Sequence, residues 1–134
     1  MGSRPANGVH LRVLVCGGRY YDDIKRVFTV LDAVAGLHGI DLIIEGGCRT
    51  WSKGKTRRRI GADWFGNAWA AAHGIPVMTV NADWEAHGKS AGPKRNQYML
   101  EAYKPELVVA FPGGRGTADM CRRAELAGVR VFHG

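Results

Sequence analysis

Pro112-Gly113-Gly114-Arg115-Gly116-Thr117 has the clearest chemical capacity in this chain. It lies between a short apolar run and an amphipathic stretch, and so reads as a strand-to-helix turn. Such a turn aims unpaired backbone N–H groups along a helix dipole and stabilises a phosphate there. Glycine lets the anion approach the backbone. Thr117 either caps the helix or donates its hydroxyl to the same oxygen, and Arg115 can close over the phosphate from outside. The plain alternative is a turn with a threonine cap, but a turn alone rarely needs three glycines. Gly17-Gly18-Arg19 ends a second apolar run and offers a comparable tight turn.

Other residues gain meaning from their place beside these turns. Glu45, at the end of a strand and before Gly46 and Gly47, either accepts hydrogen bonds from ribose hydroxyls or pairs with an arginine. Asp63 follows Gly61 at the start of a helix, as an N-cap or a ligand contact. The connection over 81–92 carries Trp84, whose ring either stacks on a base or packs beneath its own loop, and Lys94 and Arg95 follow as a basic patch.

The elements that position these residues are read from apolar periodicity. A β-branched run over 11–16 predicts a buried parallel strand, and apolar positions from Ile24 to Ala35 recur at helical spacing after Asp22 and Asp23. The alternation continues with strands over 42–45, 76–80, 107–111 and 129–133, and helices over 62–73, 93–103 and 117–127. Five strands alternating with four helices predict an α/β, Rossmann-like doubly wound domain: a mainly parallel five-stranded sheet with helices on both faces, in sequence order 3-2-1-4-5. Ligands bind such sheets where the strand order reverses, which here falls between the first and fourth strands, beyond which the two Gly-rich turns face each other.

The chain has 134 residues, as expected for one domain over 1–134, with residues 1–9 disordered. No apolar run reaches the ~18 residues of a membrane helix and no signal peptide stands at the start, so a cytoplasmic protein without membrane contact is expected. Cys16, Cys48 and Cys121 suit neither a disulfide framework nor a metal site, and are expected as buried free thiols; no metal or cofactor is implied. The net charge is +7, and the segment 49–60 holds six cations (Arg49, Lys53, Lys55, Arg57, Arg58, Arg59) and no acid. That segment is a mobile lid over a polyphosphate, a nucleic-acid contact, or a solvated loop. Gly54-Lys55-Thr56 mimics the end of a P-loop, but the glycine that motif needs at position 49 is an arginine.

Taken together, Arg12 to Arg19, Glu45-Gly46-Gly47, Gly61-Ala62-Asp63, Ala82-Asp83-Trp84, Ala91 to Asn96 with Met99, and Phe111 to Met120 resemble the YspA/YpsA-related branch of the SLOG superfamily. That superfamily also contains the Lonely Guy phosphoribohydrolases and the DNA-processing protein DprA. The resemblance implies a Rossmann-like fold, a nucleotide-like ligand such as ADP-ribose or a nucleoside phosphate at the Pro-Gly-Gly-Arg-Gly-Thr turn, and self-association into a homo-oligomer. Against that family pattern, the segment 49–60 looks like an insertion.

Lonely Guy enzymes cleave an N-glycosidic bond with an arginine from an Arg-x-x-x-Met helix and a glutamate three residues after the turn's threonine. The arginine corresponds to Arg95, followed by Met99. The glutamate corresponds to Met120, which cannot ionise, and the nearest acid is Asp119, turned by about 100° around the helix. Two enzyme-level expectations follow: binding without cleavage, as a sensor or sequestering protein, or hydrolysis with Arg95 and Asp119 as catalytic residues. A third, suggested by the DprA kinship, is single-strand nucleic-acid binding through the basic segment.

Overall fold

The computed structural model describes residues 10–134; the expected disorder over 1–9 lies outside the described residues. Five parallel strands, β1 (Leu11–Cys16), β2 (Ile40–Glu45), β5 (Val77–Thr79), β6 (Leu107–Ala110) and β7 (Arg130–His133), form one sheet in the order β5-β2-β1-β6-β7. This is the 3-2-1-4-5 order of a doubly wound sheet. The chain runs outward from β1 through β2 to β5 and then crosses back to β6, so the order reverses between β1 and β6.

Successive side chains of a strand point to opposite faces, and β1 shows how this sheet serves two cores. Val13 and Val15 pack with Val27, Leu31, Phe65 and Trp69 beneath helices α1 (Ile24–His38) and α2 (Ala62–His73). Leu14 and Cys16 face the other way, onto Met99, Leu100, Met120 and Ala124 of helices α4 (Ala91–Tyr103) and α5 (Arg115–Leu126). A strand buried on both faces reads as a continuous apolar run, which is why Leu11–Cys16 shows no polar alternation after Arg12.

Local signals set the element ends. The Asp23 side chain accepts from Arg26 N–H at 3.0 Å and caps α1. At α2 the cap is Gly61, at φ 111°, so Asp63 stands within the first turn rather than at the N-cap. Gly61 cannot be replaced cheaply: its N–H donates to Tyr21 O at 2.9 Å, and an added Cβ would come within 2.9 Å of Arg19 O. Helix α5 begins at Arg115, two residues earlier than its pattern predicts. Gly114 is therefore its N-cap, and Thr117 lies inside the first turn.

The basic segment is a two-stranded antiparallel hairpin, β3 (Thr50–Trp51) with β4 (Arg59–Ile60). Ser52 N–H donates to Arg58 O at 2.8 Å, Arg58 N–H donates to Ser52 Oγ at 3.0 Å, and Ile60 is buried in the α1–α2 core. The long connection over 81–92 also carries order: helix α3 (Trp84–His87), capped by Asp83, and a 3-10 turn over Gly88–Ser90. Cys16 is buried, Cys48 and Cys121 are half-buried, and all three are free. No helix among the described residues is long and apolar enough to cross a membrane.

Candidate functional site

Beyond the carboxyl ends of β1 and β6, the two Gly-rich turns are bound to each other. Gly18 N–H donates to Pro112 O at 2.9 Å, and Phe111 N–H donates to Cys16 O at 2.9 Å. Glycine is required at Gly113 because an added Cβ would lie 2.2 Å from Thr117 Oγ1 and 2.7 Å from Gly18 N. The N–H groups of Arg115, Gly116 and Thr117 precede the first hydrogen bond of α5, from Ala118 N–H to Gly114 O at 3.1 Å, and so point out of the helix unpaired by it. Gly114 and Gly116 have open space where a Cβ would stand. Backbone donors and free space therefore coincide at one end of a 12-residue helix.

These turns border a cleft of about 600 Å³. Gly17, Gly18 and Arg19 line it from β1. Gly46 and Asp63 line it from the β2 side, Trp84 and Arg95 from α3 and α4, and Gly114, Arg115, Gly116, Thr117 and Asp119 from α5. Four cations (Arg19, Lys89, Arg95, Arg115) stand against two carboxylates, Asp63 and Asp119. One of those carboxylates is already matched: Asp119 accepts from Arg122, Arg123 and Asn96 at 2.8 to 3.0 Å. Burial pushes Asp119 up, but the Asn96 hydrogen bond and the hydrogen bond and charge of Arg123 outweigh it and hold the acid below its ordinary range. The cleft thus presents a positive field, suited to an anion.

Arg95 reaches across from α4, its guanidinium donating to Gly46 O at 2.5 Å and to Asn96 Oδ1 at 3.0 Å. Gly46 has no room for a side chain: a Cβ would lie 2.6 Å from the Arg95 guanidinium and 3.1 Å from Asp63 Oδ2. The small residue therefore lets a cation and a carboxylate close on the end of β2 from two sides. Asp63 is 7% exposed and accepts from Cys48 N–H at 3.1 Å. Burial is the main force pushing its carboxyl up, to about 6; Glu45 adds to it, and the Cys48 N–H, Arg95 and Arg49 oppose it.

Glu45 does not line the cleft. It is fully buried, and its carboxylate is occupied by Arg49 (2.8 Å), Thr79 (2.6 Å), Asn67 (3.2 Å) and the N–H of Gly47 (2.6 Å). Burial alone would raise its pKa, but the hydrogen bonds from Arg49, Thr79 and Gly47 bring it below the usual value. Gly47 sits behind it, packed against Asn81. Lys94 is exposed outside the cleft with His87 Nδ1 at 3.2 Å, and Lys89 is the lysine that reaches the lining. Pro112 and Gly113 line a second cavity, behind the turn. Trp84 is 54% exposed at the rim, its ring edge 3.3 Å from where a Gly92 Cβ would be. Met120 is 1% exposed and belongs to the core, forming part of the cleft's apolar floor.

Sequence reasoning missed Asn96, a buried side chain that holds Arg95 and also donates to Gly116 O at 3.2 Å and Asp119 Oδ2 at 3.0 Å. A buried amide in a helix needs partners, and that is the signal that could have marked it.

The hairpin packs beside this cleft without lining it. Arg49 sits over the Trp64 ring at 5.2 Å, and Arg59 over the Trp51 and Trp64 rings at 4.8 and 5.9 Å. Arg49 is paired with Glu45, and Arg58 with Asp22.

A family model described as YAcAr, the YspA, cpYpsA-related SLOG family, matches residues 11–87, from β1 through α3; α4 and the turn before α5 lie beyond that match. Gene 61 protein of Mycobacterium phage D29 is similar, 35% identical over 134 residues, covering 91% of this chain and 94% of that protein. No solved structure matches significantly. With the doubly wound sheet and the family match over more than half its length, the chain belongs to the YspA, cpYpsA-related SLOG family.

Proposed function

We propose that the cleft binds the phosphate of a nucleotide or nucleotide-derived signal, such as ADP-ribose or a nucleoside phosphate, as a sensor or sequestering site. The observation that carries this reading is the start of α5: unpaired N–H groups from Arg115 to Thr117, open space at Gly114 and Gly116, and a cleft of net positive charge at the switch point. Arg19, Arg115 and Lys89 supply charge around the phosphate, and Trp84 offers an exposed ring for the base.

Cleavage is not part of the proposal. Met120 is a core residue, and Asp119 is held ionised by Asn96 and two arginines, which unfits it to donate a proton near neutral pH. Thermal melting with AMP and ADP-ribose tests the reading, because a ligand at about 100 times its Kd stabilises by ~2.7 kcal/mol. The expected result is a rise in Tm that vanishes in Gly114→Asp, with ligand recovered intact after long incubation. An added Cβ at Gly114 meets nothing within 4 Å, so the backbone accommodates a side chain there, and the aspartate carboxylate repels the anion. Equal shifts in both proteins would refute the phosphate placement, and release of free base would replace binding with hydrolysis.

A second reading rests on the hairpin. Lys53, Lys55, Arg57 and Arg59 have no carboxylate partner among the described residues, and Trp51 and Tyr20 are 46% and 61% exposed beside them. Unpaired cations beside aromatic faces suit single-stranded nucleic acid. On this reading a DNA strand binds with steep salt dependence, and Trp51→Ala weakens it by about 1–3 kcal/mol; unaltered affinity in that variant would remove the hairpin as the contact.

A further inference from the structure

Asp63 is a buried carboxylate in the first turn of α2, with no ion pair among the described residues. Among those residues its one hydrogen-bond partner is Cys48 N–H, which a neutral asparagine would satisfy as well. Its Oδ2 is taken by that N–H, and no described residue donates to Oδ1. Among the described residues every fully buried side-chain polar atom has a partner, so Oδ1 is the atom through which Asp63 opens onto the cleft. A buried carboxylate with one oxygen lacking a donor is costly. A ligand that donates a hydrogen bond to it accounts for its presence.

Position narrows the donor. Asp63 stands beside the end of β2 and the phosphate turn follows β6; these strands flank β1, so about 10 Å of sheet separates them. From a phosphate at Gly114 to Thr117, the next group of a nucleotide in the direction of β2 is its sugar, and Trp84 at the rim is left for the base. We infer that Asp63 accepts a hydrogen bond from a ribose hydroxyl and makes the cleft selective for ribonucleotides over nucleotides lacking the 2′ and 3′ hydroxyls. This rests on the phosphate-site reading.

The groups facing Asp63 are Glu45 from β2, Arg49 and the Cys48 N–H from the segment after it, and Arg95 from α4. Their balance leaves its carboxyl titrating at about 6, so a hydroxyl donor is bound best above that pH and less well below it.

The experiment measures the affinities of AMP and 2′,3′-dideoxy-AMP at pH 7.5 for the wild type and for Asp63→Asn. ADP-ribose is then followed from pH 5 to 8, since its phosphates are diesters, whereas the AMP monoester itself titrates near 6. A hydrogen bond to a charged group corresponds to about ten- to a hundredfold in affinity. The wild type is expected to prefer AMP by that factor and to bind ADP-ribose more tightly as pH rises through about 6. In Asp63→Asn the preference falls towards one and the pH profile flattens, while dideoxy-AMP binding is retained or tightened by the lost negative charge and shows that the site is intact. Preference retained in Asp63→Asn, with binding still abolished by Gly114→Asp, would overturn the assignment of Asp63 alone. Absence of nucleotide binding to the wild type would overturn the phosphate site with it.

Discussion

Glu45→Ala is expected to lose about 3–5 kcal/mol of stability, lowering Tm by roughly 10 to 20 °C. The reason is the number of groups that meet on one buried carboxylate. Arg49 and the Gly47 N–H from the segment after β2, Asn67 from α2 and Thr79 from β5 converge on Glu45, so its removal orphans a half-buried guanidinium and three neutral donors. Urea unfolding at pH 7 measures the loss. The acid's folded pKa lies below its unfolded value, so the contribution is complete above the unfolded value of about 4.3 and is lost as pH falls through the lower folded one. Wild type and variant should therefore converge in strong acid. A loss under 1 kcal/mol at pH 7 would mean that the network holds nothing in place.

Asp63→Asn has the opposite sign. A carboxyl raised from 3.8 to about 6 binds its proton more tightly folded than unfolded. Its stabilising contribution is complete below the unfolded pKa and is lost as pH rises through about 6, at a cost of about 3 kcal/mol by pH 8. Asparagine keeps the acceptor for Cys48 N–H and removes the cost, so the variant should melt higher than the wild type at pH 8 and equally near pH 4. A wild type more stable than the variant at pH 8 would show that the Asp63 charge supports the fold. The two acids lie on either side of Gly46 with contrary roles: one is held by four partners as structure, and the other is maintained at a cost that ligand binding would recover.

The sheet was legible because parallel strands buried on both faces read as unbroken apolar runs and helices as 3.6-residue periodicity. Helix α2 begins and ends where its pattern does, and the strand order is the one expected of such an alternation. The hairpin was not legible: its strands have two residues each, and what fixes them is Ile60 in a distant core and the Ser52 hydroxyl, neither visible as a period. The facing Gly-rich turns could be placed because the switch point of a doubly wound sheet is a property of topology. The surroundings of Glu45 and Asp63 could not. Their difference depends on side chains 4 to 34 residues away from Glu45 and on one amide opposite Asp63, contacts that sequence spacing does not encode. Lys94 was expected at the site, yet Lys89, in the 3-10 turn between α3 and α4, is the lysine that lines the cleft.

The phosphate site is tested most directly by following backbone amide resonances while AMP or ADP-ribose is added. The largest shifts are expected on Gly114 to Thr117, where the unpaired N–H groups of α5 border the cleft, with a smaller one on Gly18 beside them, and Gly114→Asp should remove them. Shifts confined to residues 50–60, or none near the start of α5 at saturating ligand, would contradict that site.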